Sequence, residues 1–203
     1  MKGFLKMNLA NKLTIFRMIL VPLLVIVQFL PICGDVYGVC ISFIIMDIIF
    51  IIASLTDKLD GYIARKRNEV TTFGKFLDPL ADKILVLTAM ILLVEFDKIP
   101  GWIPIIVLAR EFLVSGFRLV AVEKGGKVIA ASFWGKLKTF TQMTALAIVF
   151  VDVHSFFEFV NGDLSGFPLV INATGSVLLL ISVIATVFSG IDYFRAGKDF
   201  FKD

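Results

Sequence analysis

Charge is scarce in this chain, and so are the residues that build disulfide frameworks. Of 203 residues only 18% are charged, two are cysteine and one is histidine. The shortage of charge excludes a soluble domain of this size, because 58% of the residues are hydrophobic and the mean hydropathy is +0.92, far above what a water-facing surface permits. Cys33 and Cys40 flank the first predicted outer loop, where they could pair, but two unpaired thiols at helix ends is the simpler reading. His154 falls in an acidic loop and reads as solvated rather than catalytic. Strict alternation is missing too. Runs such as Ile48-Ile49-Phe50-Ile51-Ile52 are apolar on every side, which excludes a transmembrane β-barrel. No small-residue cleavage site follows the first apolar run, and Ile32 stands before Cys33 where a lipoprotein signal requires a small residue, so that run is expected to be a true span.

What the chain has in abundance is long apolar stretches. Crossing a bilayer takes about 20 apolar residues, and six such stretches are present, near 15–33, 36–55, 76–96, 101–122, 133–153 and 168–190. The expected fold is an all-α integral membrane protein, a six-transmembrane-helix bundle forming one membrane domain over residues 1–203. Residues 1–14, with Phe4, Leu5 and Leu9 among lysines, read as an amphipathic segment lying on the anionic cytoplasmic leaflet.

Basic residues fix the orientation, because Lys and Arg accumulate on the cytoplasmic side. Lys2, Lys6, Lys12 and Arg17 gather at the start of the first span, and Lys58, Arg65, Lys66, Arg67, Lys75 and Lys83 surround the second connection. Arg110, Arg118, Lys124, Lys127, Lys136 and Lys138 surround the fourth, and Arg195, Lys198 and Lys202 close the chain. Only Lys98 falls on the other side, whose loops carry acids around Asp35, Asp97 and Asp152 to Asp163. Both termini are therefore expected in the cytoplasm.

The landmark is the polar stretch from Asp57 to Lys83. It reads Asp57-Lys58-Leu59-Asp60-Gly61-Tyr62-Ile63-Ala64-Arg65, and after eight residues Gly74-Lys75-Phe76-Leu77-Asp78-Pro79-Leu80-Ala81-Asp82. Asp57, Asp60, Gly61 and Ala64 follow helical spacing, as do Gly74, Asp78 and Asp82. Two helices meeting along these faces would converge four carboxylates, which must then take up protons or bind cations. All-oxygen ligation favours Mg²⁺ or Mn²⁺ over zinc, and a pair of such ions suits phosphoryl chemistry. Small residues on the same faces leave a groove for a diphosphate, Arg65 is placed to neutralise phosphate oxygens, and Pro79 predicts a local kink beside Asp78.

The pattern Asp-x-x-Asp-Gly-x-x-Ala-Arg, eight residues, Gly-x-x-x-Asp-x-x-x-Asp resembles the signature of the CDP-alcohol phosphotransferases, with every position filled. The blocks from Asn8 to Arg17, Ala109 to Phe112, Ser115 to Arg118 and Gly135 to Thr139 are similar to members that use glycerol 3-phosphate as acceptor. The resemblance covers about three quarters of the chain. It implies transfer of the phosphatidyl group of CDP-diacylglycerol to sn-glycerol 3-phosphate, with CMP released, by a homodimer in the bacterial cytoplasmic membrane whose active site faces the cytoplasm; no nucleic acid is involved. It further implies two divalent ions, Mg²⁺ or Mn²⁺, held by Asp57, Asp60, Asp78 and Asp82, with Asp82 also the general base. Gly61, Arg65, Thr71, Asn11 and Thr14 would contact the CDP moiety, although Asn11 and Thr14 have an equal reading as helix N-caps.

The acceptor's phosphate needs cations of its own. Arg110 lies about 12 Å into the membrane from Trp102 at 1.5 Å per residue, where a lone charge is costly, so it should face a cavity or a partner such as Glu111. Arg110, Arg118, Lys136 and Lys138 are the expected glycerol 3-phosphate site, with the positive-inside rule the alternative account of the two lysines. Asp47 and Gln28 sit at similar depth on neighbouring spans, which predicts a hydrogen bond between them. A sibling transferase using a different acceptor, as in cardiolipin, phosphatidylserine or inositol-lipid synthesis, is the nearest alternative function. A divalent-cation transporter is a remote one, because no line of acids crosses the bilayer.

Overall fold

A computed structural model describes residues 9–30, 32, 34–36, 38–67, 72–123 and 133–196; within these, the side chains of 9–11, 57–67, 72–76, 78, 79, 119–123 and 196 are outside the description. Six α-helices are present among the described residues: α1 Leu9–Phe29, α2 Ile41–Arg67, α3 Thr72–Glu95, α4 Trp102–Glu123, α5 Phe133–Val151 and α6 Gly166–Ala196. Each predicted span falls on one of them. The chain divides into two compact units, residues 1–93 and 94–203.

In the first unit α1 packs against α2. Leu20, Leu24 and Val27 of α1, Met46, Phe50 and Ala53 of α2, and Leu85, Ala89 and Leu93 of α3 are buried at helical spacing. α1 runs without a break from Leu9 through the end of the expected amphipathic segment into the first expected span; residues 1–8 lie outside the described residues. α2 starts five residues later than predicted because Asp35–Val36 and Val39–Cys40 form a small antiparallel hairpin. Gly38, at φ 82, supplies the left-handed turn, and its N–H donates to Asp35 Oδ2 at 3.3 Å. Cys40 is a free thiol, 3.1 Å from Ser42 Oγ, while Cys33 lies outside the described residues. α3 runs continuously from Thr72 to Glu95, through Pro79.

In the second unit α4 and α5 each pack on α6. Gly175 lets α5 come close, since a Cβ there would meet Ile148 Cγ2 at 3.1 Å and Val149 Cγ2 at 3.2 Å. The long α6 is inside-out by the standards of a soluble helix. It exposes Val177, Ile181, Ile184, Val187 and Ile191 and buries Ser176, Ser182, Thr186 and Ser189. Buried hydroxyls satisfy themselves on the preceding turn, as Thr186 Oγ1 does on Ser182 O at 2.6 Å. Apolar faces also point outward on α1, at Phe16, Ile19, Leu23 and Ile26, and on α2, at Ile48, Ile51 and Leu55. Such surfaces fit a lipid surround. Among the described residues, 12–29 and 166–195 are long and apolar enough to cross a bilayer, and 41–56 is a shorter apolar helical stretch.

Candidate active site

The aspartates of the polar stretch lie on regular helix. α2 continues through Asp57, Asp60, Gly61 and Arg65, and α3 carries Asp78 and Asp82. Three residues advance a helix about 4.5 Å and four about 6 Å with small rotation, so each pair shares a face. Asp57 and Asp60 lie on the continuation of the helix whose Met46, Phe50, Ala53 and Thr56 are buried, and Asp82 stands one turn before buried Leu85. Asp82 is half-buried; the side chains of Asp57, Asp60, Gly61, Arg65 and Asp78 are outside the description, and Thr71 lies outside the described residues. This donor set, four carboxylates without a cysteine or histidine in the stretch, fits a hard divalent ion.

Asn11 and Thr14 lie inside α1, whose first residue is Leu9, so neither is an N-cap. Thr14 is buried, and one turn further on Arg17 is buried completely.

In the second unit the structure joins three of the four predicted acceptor-site cations. Arg110 Nη1 donates to Glu111 Oε1 at 2.8 Å, and Lys138 Nζ donates to the same oxygen. The expected partner of the deep arginine is therefore present. Arg110 Nη2 donates to Ser189 Oγ, and Arg118 Nη2 donates to Tyr193 Oη at 2.7 Å. The Tyr193 ring lies near both guanidinium groups, with Arg110 Cζ 5.6 Å and Arg118 Cζ 5.5 Å from its centroid. Lys136 differs. It is exposed, and two residues from Lys138 it lies about 200° around α5, away from the cluster.

Ser189 and Tyr193 were not foreseen. Their signal was a stripe on α6, Ser182, Thr186, Ser189 and Tyr193, repeating every three or four residues in an otherwise apolar span. The Asp47 expectation fails: the residue is buried, Oδ1 has no hydrogen-bond partner, and among the described residues no bond joins it to Gln28. Equal depth fixes height along two helices but not rotation about their axes. His154 is not simply solvated, since its Nδ1 lies 3.1 Å from Asp152 Oδ1.

These features define a helical protein with a carboxylate stretch on two helices and a cation cluster on three others, and its sequence fits the CDP-alcohol phosphatidyltransferase family model over residues 7–188. The chain belongs to that family. It is 42% identical over 201 residues to the CDP-diacylglycerol--glycerol-3-phosphate 3-phosphatidyltransferase of Bacillus subtilis (strain 168), covering 96% of this chain and 97% of the relative. It is 38% identical to the protein of the same name from Haemophilus influenzae, with 96% and 95% covered. A probable phosphatidylglycerophosphate synthase of Mycobacterium tuberculosis is 36% identical, with 95% and 83% covered.

Proposed function

We propose that this chain transfers the phosphatidyl group of CDP-diacylglycerol to sn-glycerol 3-phosphate, forming phosphatidylglycerophosphate and CMP. The observation that carries this reading is the end-to-end similarity to relatives named for that reaction, in a chain that fills every position of the aspartate signature. The family match spans both units, so the whole chain acts as one catalytic domain. It works as a six-span, multi-pass protein of the bacterial cytoplasmic membrane, a homodimer, with both termini and the reaction centre on the cytoplasmic side. The Lys and Arg distribution and the outward apolar faces of the helices support that placement.

Asp57, Asp60, Asp78 and Asp82 hold two Mg²⁺ or Mn²⁺ ions. Bound there, the ions would neutralise charge on the diphosphate and acidify the acceptor hydroxyl. Asp82 takes the hydroxyl proton as the acceptor oxygen bonds to the phosphorus that carries diacylglycerol. The bridging P–O bond then breaks and CMP leaves with its electron pair. Asn11, Thr14, Gly61, Arg65 and Thr71 hold the CDP moiety, and the buried position of Thr14 within α1 suits a residue facing the interior of its unit.

Arg110, Arg118 and Lys138 hold the phosphate of the acceptor. The link of Arg110 and Lys138 through Glu111, together with Tyr193 beside both arginines and bonded to Arg118, supports a compact anion site. Lys136 serves at the rim, where an exposed charge attracts the dianion without binding it closely. The test is CMP release by the purified chain in detergent with CDP-diacylglycerol and individual alcohols. Release should require glycerol 3-phosphate and a divalent ion, and Asp82→Asn should abolish it. Release with serine or inositol but not with glycerol 3-phosphate would overturn the acceptor assignment.

A further inference from the structure

We propose that Glu111 is a positioning residue for the acceptor site: its carboxylate holds Arg110 and Lys138 together in the arrangement that receives the phosphate. The inference rests on the glycerol 3-phosphate reading above and assigns a role to a residue that touches neither metal nor reacting atom in that reading.

Position is the first argument. Glu111 lies on α4 and Lys138 on α5, and Arg110 continues the chain of bonds to Ser189 on α6. One carboxylate oxygen thus sits at the junction of all three helices of the second unit. The side chains of Arg110, Glu111 and Lys138 are 13%, 16% and 9% exposed, so water screens them little. Without an anion between them, an arginine and a lysine at that burial repel and separate.

Charge is the second. Among the described residues bonded into the cluster, Arg110, Arg118 and Lys138 less the Glu111 carboxylate sum to +2, which a phosphomonoester dianion neutralises and an uncharged alcohol does not. Glu111 therefore sets the charge of the site as well as its shape.

The third argument is an unused donor. Arg110 Nε is buried and has no hydrogen-bond partner among the described residues, although both terminal nitrogens are bonded. A buried guanidinium N–H without an acceptor is costly. A phosphate oxygen arriving there satisfies it while Glu111 keeps its hold on Nη1, so the carboxylate need not be displaced when substrate binds.

The experiment is two-substrate kinetics on the full chain in detergent. Glu111→Gln, which keeps size and removes charge, should raise KM for glycerol 3-phosphate about tenfold. The KM for CDP-diacylglycerol should stay within about twofold, and kcat at saturating acceptor within about threefold. Adding Glu111→Gln to Lys138→Gln should cost less than the sum of the two single effects, because the carboxylate acts in part through that lysine. If Glu111→Gln does not fold, Glu111→Asp carries the test, with a smaller rise in acceptor KM and none in donor KM. An unchanged or lowered acceptor KM, equal rises for both substrates, or additive losses in the double variant would overturn the proposal. If the unsubstituted chain releases no CMP with glycerol 3-phosphate, the acceptor reading itself falls, which is a different result from a normal enzyme indifferent to Glu111.

Discussion

The two ends of the second unit are built from the same three helices and differ in what their polar groups have left to offer. At one end Arg110 and Lys138 share the Glu111 carboxylate, Arg118 bonds Tyr193, and Arg110 keeps a buried N–H without an acceptor among the described residues. At the other, about 24 Å away along α4 from Arg118 to Trp102 at 1.5 Å per residue, the polar groups close on one another. Lys98 donates to the carbonyls of Val149, at 3.4 Å, Phe150, at 3.0 Å, and Asp152 at the end of α5. Asn172 Nδ2 donates to Asp152 Oδ2 at 2.8 Å and to Ser155 O at 2.9 Å, while its Oδ1 accepts from Phe159 N–H at 2.9 Å. Phe157, at φ 60, is held in the left-handed region with its N–H on Ser176 Oγ at 3.0 Å. A polar cluster that satisfies itself is architecture, whereas one with surplus charge and an unused donor is prepared for a ligand.

That contrast also explains the one cation on the acidic side. Lys98 is 5% exposed and its charge meets the carbonyl end of a helix, where a cation is favoured. It breaks the positive-inside pattern because it is a helix cap.

Substitutions at the closed end should change stability and spare acceptor recognition. Asn172→Ala leaves a carboxylate oxygen, a carbonyl and an N–H without their partner, and should destabilise the second unit by about 3 kcal/mol. Thermal unfolding in detergent would measure it, and the protein that remains folded should keep its acceptor KM. Lys98→Met keeps the buried stem and removes the donors, for a loss of about 1–2 kcal/mol by the same measurement. A rise in acceptor KM in either variant would break the division between the ends. The smallest effect is expected within the open end. Lys136→Gln should raise the acceptor KM by no more than about threefold at low salt, and the difference should vanish at high ionic strength, as for an exposed rim charge.

Legibility in the sequence followed the range of the interaction. Helical spacing is local, so the six helices, including the two that carry Asp57, Asp60, Asp78 and Asp82, were readable from the chain alone. The Arg110 to Glu111 contact joins neighbours in sequence and was expected from the cost of a lone charge at depth. The partners from α6 were not readable, because Ser189 and Tyr193 reach arginines 79 and 75 residues away and spacing within one helix carries no record of which helix lies opposite. Asp47 and Gln28 failed for the complementary reason, since matching depth says nothing about rotation.

The central claim is that the open end recognises the phosphate of the acceptor. It is tested most directly by comparing kcat/KM for glycerol 3-phosphate with that for glycerol, in the unsubstituted chain and in Arg110→Ala. The account predicts a preference for glycerol 3-phosphate of at least about 10³-fold that falls by about 10²-fold in the variant. Equal use of glycerol, or a preference untouched by Arg110→Ala, would contradict it.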